Sequence, residues 1–196
     1  MQDLKADLIK YFLKTKSFKH DPVNKFRLSS GVESEFYVDC KTLMGSPIAR
    51  NLVAQLAFWK IKDLPFDCIG GLEIGAIAIA TGISDHGLRI EGKDWPTFVV
   101  RKQEKGHGLG KKIEGIAEQG ARALIVDDVL TSGGSILRAV EAARQAGLVV
   151  DRALVIVDRQ EQDGQRNLEK SGVQLLSLLT IRDFQSVQTL APALSR

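Results

Sequence analysis

The chain has 196 residues, 44% of them apolar and 26% charged, with no low-complexity tract. That balance suits one compact unit with a buried core and excludes a disordered chain. A formal net charge of +3 is too small to signal a nucleic-acid binder, and no apolar run approaches the roughly 20 residues that a membrane span needs.

In chain order, Leu4, Leu8, Ile9 and Phe12 share one face of an amphipathic first helix. This start lacks the basic-then-apolar layout of a signal peptide, so a cytoplasmic protein is expected, with Cys40 and Cys68 as buried thiols rather than a disulfide. Phe26 to Lys41, FRLSSGVESEFYVDCK, reads as a β-hairpin with SSGVES at its turn. The next helix opens with Ser46 as cap and Pro47 in its first turn. A strand, FDCIGG, runs into glycines, and AIAIATGI continues as a helix. PTFVVRK is a strand ending in positive charge. EKGHGLGKKIEG has four glycines and no periodicity, and reads as a loop. RALIVDD is a strand, SILRAVEAARQAG a helix stopped by Gly147, and RALVIVDR a strand. A short polar helix, a last strand VQLLSLLT and a helix capped by Thr180 and Asp183 follow.

Strands that alternate with helices predict an α/β fold with a mostly parallel central sheet flanked by helices. Ligands of such sheets bind beyond the carboxyl ends of the strands. Four strand ends therefore matter: Gly70-Gly71, Arg101-Lys102, Asp127-Asp128 and Asp158-Arg159. Side-chain alternation predicts that Asp127 and Asp128 point roughly opposite ways. Such a pair can accept hydrogen bonds from sugar hydroxyls or help hold a divalent cation. Thr131 to Ser135 then turns into a helix, where backbone N–H groups form an anion cradle and glycines let a phosphate approach. GLGKK does not satisfy a P-loop, and GGLEIGA is not a dinucleotide fingerprint. Residues 101–112 carry five Lys/Arg and one acid, more net positive charge than the whole chain.

LIVDDVLTSGGS, residues 124–135, resembles the phosphoribosyl-pyrophosphate (PRPP) signature of the type I phosphoribosyltransferases. RKQEKGHG at 101–108, the hairpin at 26–41 and VDRQE at 157–161 resemble the orotate branch of that family. The resemblance covers roughly residues 20 to 180. It implies a single type I phosphoribosyltransferase domain over 1–196: an N-terminal helix and hairpin hood (1–45), the core sheet (46–180) and a C-terminal helix (181–196). It also implies transfer of the phosphoribosyl group of PRPP to orotate, giving orotidine 5′-phosphate and pyrophosphate. Two other readings stay open: another nucleobase as acceptor, or a PRPP- or nucleotide-sensing regulator on the same fold.

By resemblance, Lys105 is the main loop catalyst, His107 and Arg101 lie near the pyrophosphate, and Lys102 contacts phosphates from its own subunit. Asp127 and Asp128 hold the ribose hydroxyls, and Val129 and Leu130 lead into a 5′-phosphate seat at Thr131, Ser132, Gly133, Gly134 and Ser135. Gly71, Leu72, Glu73, Ile74 and Gly75 supply backbone to the pyrophosphate. Glu73 would repel that anion unless it turns away or meets Mg²⁺, and it is read as facing solvent. Arg159 is the candidate for the orotate carboxylate, which a guanidinium fork matches bidentately, with a salt bridge to Asp158 or Glu161 as its structural alternative. Thr131, Phe36 and Tyr37 join Arg159 at the base. Mg²⁺ is expected to be held mainly by substrate, with Asp127 or Asp128 as the protein's candidate ligand, and the implied partner is a second copy in a homodimer with shared sites; nucleic acid and membrane are not expected. Ser29 and Val32 stand where many relatives carry a lysine and an arginine, and alternation along the strand aims Lys25 and Arg27 elsewhere.

Overall fold

The computed structural model describes residues 1–27, 31–103 and 112–188, with side chains up to 184. Helix α1 (Gln2–Lys14) buries Leu8, Ile9 and Phe12, the face read from the sequence. Short strands follow: β1 (Phe18–His20), β2 (Phe26–Arg27), β3 (Glu33–Ser34) and β4 (Phe36–Val38). β2 pairs with β3, so Glu33 and Ser34, expected in the turn, form the second strand of the hairpin. β4 pairs instead with β1, a strand not expected from the sequence, through Phe18↔Val38 and His20↔Phe36. A short helix, α2 (Cys40–Gly45), was also unforeseen; the Asp39 carboxylate accepts the Thr42 N–H at 3.0 Å and starts it.

Helix α3 (Pro47–Ile61) begins at Ser46, whose hydroxyl accepts the Ala49 N–H, with proline in its first turn. Then come β5 (Cys68–Leu72), α4 (Gly75–Glu91), β6 (Thr97–Val100) and β7 (Ile113–Gly115). Helix α4 runs well beyond AIAIATGI, to a left-handed Gly92. The end of the expected loop is strand β7, antiparallel to β6. Its lack of periodicity misled because a three-residue edge strand shows only one alternation. The chain closes with β8 (Arg122–Leu130), α5 (Gly134–Gln145), β9 (Val149–Asp158), α6 (Gly164–Lys170), β10 (Gln174–Thr180) and α7 (Ile181–Gln188). At the start of α7 the Asp183 carboxylate accepts the Thr180 N–H at 2.6 Å.

The six-stranded sheet has the order β10-β9-β8-β5-β6-β7, parallel throughout except at β6–β7. From β5 the chain moves outward to β6 and β7, then returns to β8 on the other side of β5. The crevice at this reversal is where an open α/β sheet binds its ligand. Period-two alternation divides the core. Leu124 and Val126 of β8 face α1, α3 and α4, whereas Ala123 and Ile125 face α5. Phe12 of α1 meets Phe184 of α7 edge-on at 5.0 Å, joining the two ends of the described chain on one face of the sheet.

Candidate active site

Strand β8 does not end at the aspartates. It stays paired with β9 through Val129↔Val157 and Leu130↔Asp158. Asp127 and Asp128 therefore sit in a rigid strand. Asp127 is buried, and the Asp128 side chain keeps 14% exposure. Their carboxylates do not diverge as strict alternation predicts. Each curls forward: Asp127 Oδ1 accepts the Asp128 N–H and Asp128 Oδ1 accepts the Val129 N–H, both at 2.9 Å. Val126 and Val129 pack against the same core face, so the alternation of β8 breaks at the two aspartates between them. A Cβ added at Gly75 would lie 3.0 Å from Asp127 Oδ1 and 3.2 Å from Asp128 Oδ1, so both carboxylates converge on the loop after β5. A side chain at that position would crowd both carboxylates and force them to give way.

The pair is electrostatically coupled. Burial, then the charge of Asp128, pushes Asp127 up to about 7. Lys41 of α2 opposes this: its Nζ lies 2.8 Å from Asp128 Oδ2, and that bond raises the lysine in turn. Next to the pair, Cys40 is buried and its thiol is pushed well above its usual value by burial and then by Asp128; Cys68 is likewise a buried free thiol, pushed up to about 11.

After β8 the chain turns through Thr131–Gly133. Gly133 takes a left-handed φ of 85° as the cap of α5, and Asn167 of α6 donates to the Ser132 carbonyl at 3.0 Å. Among the described residues, no loop or turn hydrogen bond takes up the N–H groups of Ser132, Gly133, Gly134 or Ser135. These amides stand at a helix N-terminus, the arrangement that binds anions.

A cavity of about 690 Å³ joins these parts. Of the expected site residues it is lined by Tyr37, Lys102, Asp127, Asp128, Val129, Thr131, Ser132, Gly133, Gly134, Ser135 and Arg159. Leu130 is buried beneath it in the core. Phe36 stacks on His20 at 4.7 Å and on Phe18 at 6.1 Å, so its ring belongs to the hood's packing while its carbonyl accepts from Arg159. Arg101 turns toward Glu114 of β7 at 3.7 Å. Lys105 and His107 lie outside the described residues, as does Ser29; Val32 is exposed.

Glu73 is partly exposed, and its carboxylate turns to the backbone at the start of the basic segment. Its carboxylate accepts the Lys102 N–H at 2.8 Å, and its own N–H donates to the Val100 carbonyl. The Arg101 N–H donates to the Lys112 carbonyl at 2.8 Å, so both ends of the basic segment are tied to the sheet.

Two cations of the lining, Lys41 and Arg138, escaped sequence reasoning, and a third, Arg27, was aimed elsewhere by it. Arg27 reaches the cavity despite the strand parity that aimed it elsewhere, because β2 is only two residues long. Arg138 lies one turn into α5 and donates to Ser135 Oγ at 3.3 Å, a spacing that helical periodicity can disclose.

A phosphoribosyl transferase domain model matches residues 41–187. Orotate phosphoribosyltransferase of Pyrococcus furiosus is 38% identical over 183 residues, covering 92% of this chain and 95% of that one. The chain belongs to the orotate phosphoribosyltransferase family. The Mycobacterium tuberculosis family member, solved with Fe(III) dicitrate, superposes with a TM-score of 0.76 at 32% identity, covering 92% of this chain and 98% of that one. The same mycobacterial protein was solved with PRPP, at a TM-score of 0.72 and 27% identity over 93% of this chain and 92% of that one. Membership of this family makes the chain a glycosyltransferase on the type I phosphoribosyltransferase fold. No helix among the described residues is long and apolar enough to cross a membrane.

Proposed function

We propose that this protein transfers the 5-phosphoribosyl group of PRPP to orotate in the cytoplasm, releasing pyrophosphate and orotidine 5′-phosphate. The observation that carries this reading is the joining, in one cavity, of the Asp127–Asp128 pair, the Ser132–Ser135 amides and Arg159. The aspartates grip the ribose hydroxyls and steady positive charge on the ring as the C1–O bond breaks. The amides seat the 5′-phosphate. Lys102, Lys105 and His107 face the departing pyrophosphate, and Arg159 receives the carboxylate of the base. Closure of the basic segment excludes the water that would hydrolyse PRPP.

Mg²⁺ fits this donor set. Among the described residues no group of three His, Cys, Asp or Glu could hold a metal alone, and the Asp pair offers hard carboxylate oxygen beside the diphosphate seat. Asp127 is the better placed ligand, because each aspartate accepts one backbone N–H but only Asp128 is also paired with Lys41. When bound, Mg²⁺ neutralises charge on the diphosphate oxygens. A homodimer completes the proposal; Ile48 of α3 and Ile74 and Ile77 at the start of α4 are exposed apolar residues.

A second reading, transfer to a neutral nucleobase, is favoured by one observation: Arg159 already pairs with Glu161. One assay decides. Orotate absorbance falls when protein, Mg²⁺ and PRPP are mixed with it, and turnover of uracil but not orotate overturns the first reading.

A further inference from the structure

Arg159 is only 3% exposed, yet it lines the cavity. Its Nε donates to Glu161 Oε2 at 3.0 Å. Its Nη2 donates twice, to Ser34 Oγ and to the Phe36 carbonyl, each at 2.8 Å. Ser34 accepts from the arginine and gives its own hydrogen to Glu161 Oε1 at 2.8 Å, so arginine, serine and glutamate form a closed ring. The Nε–Nη2 edge of the guanidinium is therefore filled, and Nη1 donates to no described residue.

A guanidinium with an open fork chelates phosphate as readily as carboxylate. This cavity must hold phosphate groups at one end and a planar acid at the other. We propose that Ser34 and Glu161 are specificity-determining positioning residues that close one edge of Arg159, leaving a single nitrogen, Nη1, to take one carboxylate oxygen of the base. The proposal rests on the assignment of orotate as the acceptor. Glu161 also cancels the charge of Arg159, which lowers its attraction for a multiply charged phosphate more than for a carboxylate monoanion. Ser34 belongs to the hood and Arg159 to the end of β9, so the same ring couples the seating of the hairpin to the direction of Nη1.

The test uses the full chain and two nucleotides that differ by one carboxylate, orotidine 5′-monophosphate and uridine 5′-monophosphate, titrated by calorimetry. Wild-type protein prefers the former. Ser34→Ala reduces that preference about tenfold, the worth of one hydrogen bond to a charged group, and leaves the uridine nucleotide within about twofold. Glu161→Asp keeps the charge, withdraws the oxygens and shifts the ratio the same way; Ser34→Thr restores it. An unchanged ratio in Ser34→Ala and Glu161→Asp, with wild-type protein active on orotate, overturns the proposal alone. Equal weakening of both nucleotides also overturns it, since that is the mark of a merely structural contact. Equal wild-type affinity for the two nucleotides, with no turnover of orotate, overturns the orotate assignment and this inference with it.

Discussion

From Asp127 to Ser135 the proposed phosphate side of the cavity is one unbroken run of sequence, whereas the proposed base side joins Arg159 to Ser34 across 125 positions. On the first side, a strand, a left-handed glycine and a helix start follow one another, and local rules dictate where their amides and carboxylates go. On the second, β9 supplies an arginine whose partners arrive from a hood that packs through its own aromatic cluster. The phosphate side is thus set by chain continuity, and the base side by docking. Changes on the first should act on PRPP, and changes on the second on the base.

The largest expected effect falls on neither side but on the basic segment at residues 101–112. Lys105→Ala lowers kcat by about 10²–10³, the usual cost of removing one donor to developing charge, while PRPP affinity measured by calorimetry stays within severalfold. Preserved turnover would remove Lys105 from catalysis. Next, Gly75→Val drives a side chain against both aspartates and weakens PRPP binding at least about tenfold, with binding of the free base much less affected. Loss of both in equal measure would show that the two sides are not separable.

Proton linkage gives a third comparison. Asp127, raised to about 7 by burial and by Asp128, is protonated in the free protein below that pH and ionised above it. The ionised form is the better acceptor for ribose hydroxyls, so PRPP affinity falls as pH drops from about 8 to about 6, approaching tenfold per unit below the pKa. Asp127→Asn should flatten the profile; an unchanged profile would assign the proton elsewhere. A smaller effect is expected at Lys41. Its side chain is 66% exposed, so Lys41→Ala raises the KM for PRPP only severalfold, and Lys41→Arg recovers it. Smallest for function is Asp183→Ala, which removes the α7 cap, costs about 1 kcal/mol in denaturant unfolding and leaves both substrates' KM values unchanged.

Much of this was legible beforehand because it is local. The α3 and α5 helices, the parallel strands, the Asp pair and the glycine turn all follow from periodicity, caps and turn chemistry within about fifteen residues. The misses share a different origin. β1 has three residues and exists because Phe36–Val38 lies beside it, which no local pattern states. α2 hangs on one Asp39 carboxylate. Lys41 was passed over because nothing in VDCKT marks a lysine for a carboxylate 87 residues away. Glu73 reads from sequence as facing solvent, and only the parallel pairing of β5 with β6 brings its carboxylate to the Lys102 amide.

By itself, then, the sequence determined the chemistry on offer: a run of carboxylates and free amides at a strand-to-helix turn, and a concentrated basic segment. Those follow from covalent order, since neighbours in the chain are neighbours in space. Only the tertiary structure decided how the charges are matched. It brought Lys41 to Asp128, Glu73 to Lys102, and Ser34 with Glu161 to Arg159, because pairing charges across distant segments depends on how the sheet closes and the hood docks.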